Sequence, residues 1–420
     1  MNLASKFSSG NGRLMHAAFR LSFAMVLSLC TTLPVWAQVP ELLGVGEFSG
    51  TATDLSPLTE LLTNGEPHNR LGGFSALEYT GEANRYIALP DRGPDDGATG
   101  YICRYQLIEI DIQPGTPQPV QLKVLKTQQL SDVQGRPFTG DSRQFEATVD
   151  RSQRFDPEGV RLTGNGHCWI SDEYGPSLIE FDATGRAIRS IALPKHLQIL
   201  HPADSKKAEN ALNQSGRSSN KGMEGLAITP DGSMLVGLMQ HVLLQDGERE
   251  DNGKPVGRNC RLVCVDIASG NVKEFVYRLD SDDNGLNEIL AVSDSEFLVI
   301  ERDGEPGDQA RFKKIMRINL ANATEVQHLD SLPHGALPDS IVPVQKEVFL
   351  DLLDPAYGLA SANFPEKLEG LTFGPTLADG RQTLLVGSDN DFEADHPSVV
   401  YVFAIGDLAE PLNNTAAASR

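Results

Sequence analysis

Apolar and polar positions alternate along most of the chain in short runs. Examples are "RYIALPD" from Arg85, "YQLIEIDI" from Tyr105, "SMLVGLMQ" from Ser233, "RLVCVDIA" from Arg261, "EFLVIERD" from Glu296 and "VVYVFAI" from Val399. Turn signals separate such runs: "DATGR", "TPDGS", "IASGN" and "LADGR". A period of two, β-branched content and Gly/Asp punctuation predict many short strands, so the fold class is all-β. Amphipathic helical spacing is scarce; "KKAENALN" (Lys206–Asn213) is the one stretch with helical character.

The runs repeat. "DPEGVRL" carries Glu158, "GMEGLAI" Glu224, "GLNEILAV" Glu288 and "KLEGLTF" Glu369, while "GGFSALEY" is a fifth copy with Ser75 where the acid stands elsewhere. The copies lie about 64 to 83 residues apart, longer than the short-repeat periods. After each comes a strand with a polar end: Asp91-Arg92, Asp172-Glu173, Gln240-His241, Glu301-Arg302-Asp303 and Asp389-Asn390-Asp391. Four-stranded antiparallel units repeated around an axis make a β-propeller. Five blades are expected, six being the alternative count, with long loops at Lys195–Gly222, Gly115–Thr148 and Leu332–Lys367. The early strand "GVGEFSGTA" (Gly44–Ala52) is expected to pair with "VVYVFAI" and close the ring.

The first 37 residues read differently. Lys6, Arg13 and Arg20 precede about 17 mostly apolar residues, and Val35-Trp36-Ala37 offers a cut after Ala37. This predicts a signal peptide over 1–37, a single propeller domain over 38–410, a loose tail over 411–420, and export to the periplasm or outside the cell, with no membrane span once the signal is removed. In an oxidising compartment the four remaining cysteines, Cys103, Cys168, Cys260 and Cys264, allow one or two disulfides or buried free thiols. No Cys/His cluster has zinc spacing. The net charge of −21 argues against nucleic acid and anionic membranes as partners and is compatible with cation binding.

Chemistry follows from where the acids fall. If each repeated Glu opens a channel-lining strand, Glu158, Glu224, Glu288 and Glu369 converge near the axis. Asp91, Asp172, Glu173, Asp303 and Asp389, at the ends of the second strands, fall nearby or at the opposite mouth. A ring of carboxylates repels itself unless a cation sits within it. Oxygen ligands suit calcium, and magnesium less well. The expected metal set is Asp156, Glu158, Asp172, Glu224, Glu288 and Glu369, and the expected catalytic set Glu158, Asp172, Glu173 and Glu224. Arg92, Arg154, Lys221, Arg302 and Tyr174 are the expected contacts to a small anionic or ester substrate, because cation plus Arg is what a phosphoester needs. A plainer reading treats Glu-Gly as a turn in which Gly supplies the backbone angle. "DRGPDDG" (Asp91–Gly97) is either a cation loop or an ordinary Asp-Gly turn. No G-x-S-x-G elbow, Walker loop or dinucleotide fingerprint is present.

Five segments together resemble the phytase-like family, also described as "esterase-like activity of phytase": "RFDPEGVRL", "CWISDEYGPSLIEFDATGR", "NKGMEGLAITPDGSMLVGLMQ", "LNEILAVSDSEFLVIERDG" and "KLEGLTF". With "GGFSALEY…YIALPDRG" the resemblance spans about Leu71 to Ala404. It implies an exported propeller with phosphatase or esterase activity. The matching positions here are Glu158, Asp172, Glu173, Tyr174, Glu224, Glu288 and Glu369, and Ser75 departs from the acidic pattern. The resulting expectation is an exported, calcium-dependent hydrolase of phosphomonoesters or other esters at the channel mouth. The alternatives are a non-catalytic ligand- or partner-binding propeller with a structural metal and a calcium-dependent lactonase or sugar-acid esterase.

Overall fold

The computed structural model describes residues 39–145, 153–251 and 253–408. The expected signal peptide and tail lie outside them. The first strand, β1 (Glu41–Phe48), pairs antiparallel with the last, β22 (Ser398–Ile405), as Gly44–Ala52 and the C-terminal run predicted. Blade one is β2 (Ala76–Tyr79), β3 (Arg85–Leu89), β4 (Arg104–Ile112) and β5 (Val120–Gln129). Blade two is β6 (Pro157–Leu162), β7 (Cys168–Asp172), β8 (Ser177–Phe181) and β9 (Ala187–Ile191). Blade three is β10 (Met223–Ile228), β11 (Met234–Met239), β14 (Asn259–Asp266) and β15 (Val272–Arg278), with a small hairpin of β12 (Glu248–Arg249) and β13 (Pro255–Val256) inserted. Blade four is β16 (Gly285–Ala291), β17 (Glu296–Arg302), β18 (Lys313–Asn319) and β19 (Gln345–Asp351). Blade five is β20 (Lys367–Thr376), β21 (Gln382–Asp389), β22 and β1. The count is therefore five. Strands β5 and β19 fall inside segments expected to be loops. In Lys195–Gly222 the expected helix forms over Lys206–Leu212, capped by the Ser205 hydroxyl, which accepts from Ala208 N. No helix of the described residues is long and apolar enough to cross a membrane.

Each interface between neighbouring blades has its own apolar layer, because successive side chains of a strand face opposite neighbours. On β11, Leu235 and Met239 join Trp169 and Leu178 of blade two. Val236 and Leu238, between them, join Ile289 and Phe297 of blade four. This two-sided burial accounts for the near-continuous apolar runs. The cysteines belong to these layers: all four are buried free thiols, so the disulfides allowed by the sequence do not form. Cys260 and Cys264 share β14, and four residues of strand hold them about 13 Å apart, beyond disulfide reach.

The innermost strands β2, β6, β10, β16 and β20 neighbour one another in a closed ring. The repeated glycines permit that closeness. A Cβ on Gly159 would lie 2.6 Å from Leu226 Cβ, and one on Gly225 2.7 Å from Glu288 Cα. Neither glycine has positive φ, so the turn reading of Glu-Gly gives way to one of tight blade contact. At the centre, the buried Arg161 guanidinium donates to Leu77 O (3.2 Å), Val160 O (2.6 Å), Ile289 O (2.8 Å) and Leu371 O (3.4 Å). It also pairs with Glu288 (3.0 Å) and Glu78 (3.5 Å). Glu288 in turn accepts from Leu226 N at 3.0 Å. Arg161 and Glu288 thus fasten all five inner strands and fill the channel at that level.

Candidate functional site

In an antiparallel hairpin the start of one strand lies beside the end of the next. Pro157 faces Asp172, Met223 faces Met239, Gly285 faces Arg302 and Lys367 faces Asp389. The repeated acids and the polar strand ends therefore meet at one mouth, which the sequence left undecided. They surround a cavity of about 1170 Å³, walled by Asp91, Glu158, Glu173, Glu224, Glu369 and Asp389 together with Arg92, Lys221, Arg302 and Lys367.

One residue from each of blades two to five forms the floor: by register and by the glycine contacts these are Glu158, Glu224, Asn287 and Glu369, while Ser75, at the matching repeat place of blade one, is not part of the cavity lining. Asn287, not Glu288, holds the place in blade four: Ile289 stands against β17 as Leu226 stands against β11. The one-residue difference turns Glu288 away from the other acids, to Arg161, so the expected convergence of Glu288 with them does not occur. Asn287 donates to Glu224 and Glu369, both at 3.0 Å. Glu369 is also held by Arg302 at 2.7 Å.

Asp156 pairs with Arg92, which also reaches Glu173 at 3.1 Å. Asp172 is buried but fully engaged in a turn. It accepts from Asp156 N (3.1 Å), Tyr174 N (3.1 Å), Gly175 N (3.0 Å) and the Ser177 hydroxyl (3.2 Å). Its role is to shape the strand end that presents Glu173. Tyr174 and Arg154 stand behind the cavity wall. The tyrosine hydroxyl donates to Gly140 O (2.9 Å), and the Arg154 guanidinium stacks on its ring and pairs with Glu209 (3.2 Å). Asp303 is tied to Lys313 at 2.9 Å.

Three groups of carboxylates among the described residues are close enough to share a cation: Asp91/Asp389/Asp391, Asp91/Asp156/Glu158 and Glu158/Glu173/Glu224. The first contains the Lys367 ammonium and the second the Arg92 guanidinium. The third differs. Glu158 makes no hydrogen bond or ion pair among the described residues, and Glu224 Oε2, Gln240 Oε1 and Asn287 Oδ1 are buried without a donor. Burial, then the mutual repulsion of Glu158 and Glu224 and of Glu224 and Glu173, pushes Glu158 and Glu224 well above the usual carboxylate range. Burial alone would push Glu173 up too, but Arg92 and Arg217 outweigh it and hold it below. Buried acceptors left without donors are costly; an oxygen-rich set of this kind fits a hard divalent cation. Lys367, Asn287 and the orphaned oxygen of Gln240 were given no role by the sequence. The missing Gly after Glu288 was the available signal that Glu288 does not hold the place of Glu158, Glu224 and Glu369, each of which precedes a Gly.

Over residues 69–392 the chain matches the family described as Phytase-like: Esterase-like activity of phytase. An uncharacterized secreted protein of Arthroderma benhamiae is 25% identical over 341 residues, covering 63% of this chain and 66% of its own length. This chain thus spans just under two thirds of that relative. Among solved structures, the Malassezia sympodialis allergen Mala s 1 aligns with a TM-score of 0.37 at 11% identity, covering 81% of this chain and 79% of its own. Virginiamycin B lyase from Staphylococcus aureus aligns at 0.31 and 11% identity, covering 86% and 99%. Likenesses this distant carry no argument.

Proposed function

This chain belongs to the phytase-like family, and on that premise we propose that it is an exported, divalent-cation-dependent hydrolase of phosphomonoesters or other esters, working at the carboxylate-lined mouth of the propeller. The observation that carries the reading is the group Glu158, Glu173 and Glu224, whose ligand atoms lie within 4.8 Å of one another; Arg92 reaches Glu173, but neither Glu158 nor Glu224 forms an ion pair with a lysine or arginine among the described residues. These residues would hold the cation, and calcium is the one their oxygens suit best. A cation bound there supplies Lewis acidity to the phosphoryl or acyl oxygen of an ester. The chain's own groups do the rest. Glu158, free of hydrogen-bond partners, is placed to take a proton from an attacking water. Lys221 and Arg302 line the cavity and offset the charge of an anionic substrate. Arg92 fixes Glu173. Arg154 and Tyr174 act from behind, by holding the wall.

Export is supported by the secreted relative and by the N-terminal sequence. The decisive experiment is a panel of phosphomonoesters, aryl esters and lactones, run with calcium and with chelator on the wild type and on Glu158→Gln. The reading expects a phosphomonoester or aryl ester to be turned over only with cation, and Glu158→Gln to slow that turnover by about 10²-fold or more. Turnover indifferent to both chelator and Glu158→Gln overturns it. Turnover confined to lactones selects the lactonase, and cation binding without turnover of any panel member selects the non-catalytic propeller.

A further inference from the structure

We propose that the side-chain amide oxygens of Gln240 and Asn287 complete, with Glu158, Glu173 and Glu224, a calcium-selective cage on the cavity floor that ties blades two, three and four together. The proposal rests on the preceding reading only in placing a cation at this mouth.

One observation carries it independently of the acidic cluster, and a second matches the cluster's own spacing to calcium. The first is the orientation of the amides. The Gln240 Nε2 end donates to Glu224 Oε1, and the Asn287 Nδ2 end donates to Glu224 and Glu369. With both nitrogen ends committed, both oxygen ends are left buried and without a donor, as is Glu224 Oε2. Gln240, Asn287 and Glu224 are 5%, 2% and 4% exposed and line the cavity. Three acceptor oxygens with no donor among the described residues are what a cation's coordination shell uses. The second is scale. The carboxylate oxygens of Glu158, Glu173 and Glu224 lie within 4.8 Å of one another, about twice a calcium–oxygen bond of roughly 2.4 Å.

Ligand chemistry then sets the selectivity. Glu173, Glu224, Gln240 and Asn287 offer one oxygen each and Glu158, without partners among the described residues, two, which makes six, the lower end of the six to eight donors calcium takes. Magnesium demands a tighter octahedron and keeps several waters, which a cage with this many buried donors does not accommodate. No histidine or cysteine ligates here, so zinc and copper gain nothing. Two neutral donors also keep the charge of the cage at three carboxylates rather than five, which limits repulsion when the cation leaves.

The test uses the full chain stripped with chelator. Calorimetric titration with calcium and with magnesium is paired with terbium luminescence, which reports on the same cage in the wild type without any variant. Gln240→Leu, Gln240→Glu and Asn287→Leu are compared with Glu288→Gln. Expected are one equivalent of calcium bound at least 100-fold more tightly than magnesium, terbium displaced by calcium, and affinity at least tenfold weaker in Gln240→Leu and Asn287→Leu. Gln240→Glu, which keeps an oxygen, retains binding, and Glu288→Gln is indistinguishable from the wild type. Absence of both calcium heat and terbium luminescence in the wild type overturns the cage, as does unchanged affinity in both leucine variants. Calcium bound as described with no substrate turned over defeats the hydrolase and leaves the cage. Hydrolysis supported by another cation, with no calcium bound, does the reverse.

Discussion

Replacing Arg161 with methionine should destabilise the ring more than any other single change at its centre. Methionine keeps much of the aliphatic stem, so the loss isolates the guanidinium. Glu288 is fully buried and would be stranded with Glu78 as its nearest charge, while Leu77, Ile289 and Leu371 lose their donor at the axis. Breaking a buried pair by removing one partner costs about 3–5 kcal/mol, a large share of the roughly 5–15 kcal/mol that folded domains possess. Glu288→Gln should cost less, about 1–2 kcal/mol. The amide oxygen still accepts from Leu226 N and Ile289 N, and Arg161 keeps its carbonyls and Glu78. The double variant, in which only Glu78 is left without its cation, should be more stable than the sum of the single losses predicts. Equilibrium urea denaturation reads these differences, and Trp169, directly opposite Arg161 in the β6–β7 register, is a built-in reporter. An Arg161→Met protein within 1 kcal/mol of the wild type, or more stable than Glu288→Gln, would refute the idea that this side chain pins the blades.

Removing the cation should lower the melting temperature as well as any turnover, because calcium at about 100 times its Kd stabilises the native state by roughly 2.7 kcal/mol; calorimetry with and without chelator checks this, and an unchanged melting temperature contradicts it. Asp172→Ala should lower stability by about 2–4 kcal/mol through the four donors it strands, with calcium affinity falling alongside because that turn presents Glu173; a loss of calcium binding in a variant of undiminished stability would restore Asp172 to the cation site. His241 is held neutral by burial down to about 4, whereas the unfolded imidazole titrates near 6.5. Its contribution of about 3 kcal/mol is therefore present above pH 6.5 and lost as pH falls through 4. Unfolding free energies from pH 7 to 4 should fall less steeply in His241→Leu than in the wild type, and equal slopes would contradict the assignment.

The fold was legible because two-sided burial writes itself into sequence as short apolar runs, and because three of the five repeats keep Glu at a fixed place in the innermost strand while a fourth carries one a residue later. The outermost strands were harder: β5 and β19 bury little, so "VQLKVLKTQQ" and "QKEVFLD" read as polar connectors. At the site, Glu158, Glu173 and Glu224 could be named from their repeat positions, and hairpin geometry alone could have placed both sets of acids at one mouth. Two things could not be read off. A carboxylate spent on turn amides, such as Asp172, looks in sequence like one that is free. The neighbours Asn287 and Glu288 differ by one residue in a period of two, which sends one to the cavity and the other to the axis.

The axial arginine bears on how such a ring could arise or be redesigned. Counted from the floor residue, or from Ser75 in blade one, the place of Arg161 is filled by Glu78, Ala227, Leu290 and Thr372 in the other blades. At this place one cation and one anion stand with neutral companions, and Glu288 adds a second anion beside Arg161. Five identical copies would bring five guanidinium groups to a point with space for one. A consensus blade averaged from these repeats therefore could not close on itself, however well each copy folded. Gene duplication can supply the blades, but their divergence at this single position is a condition of assembling them.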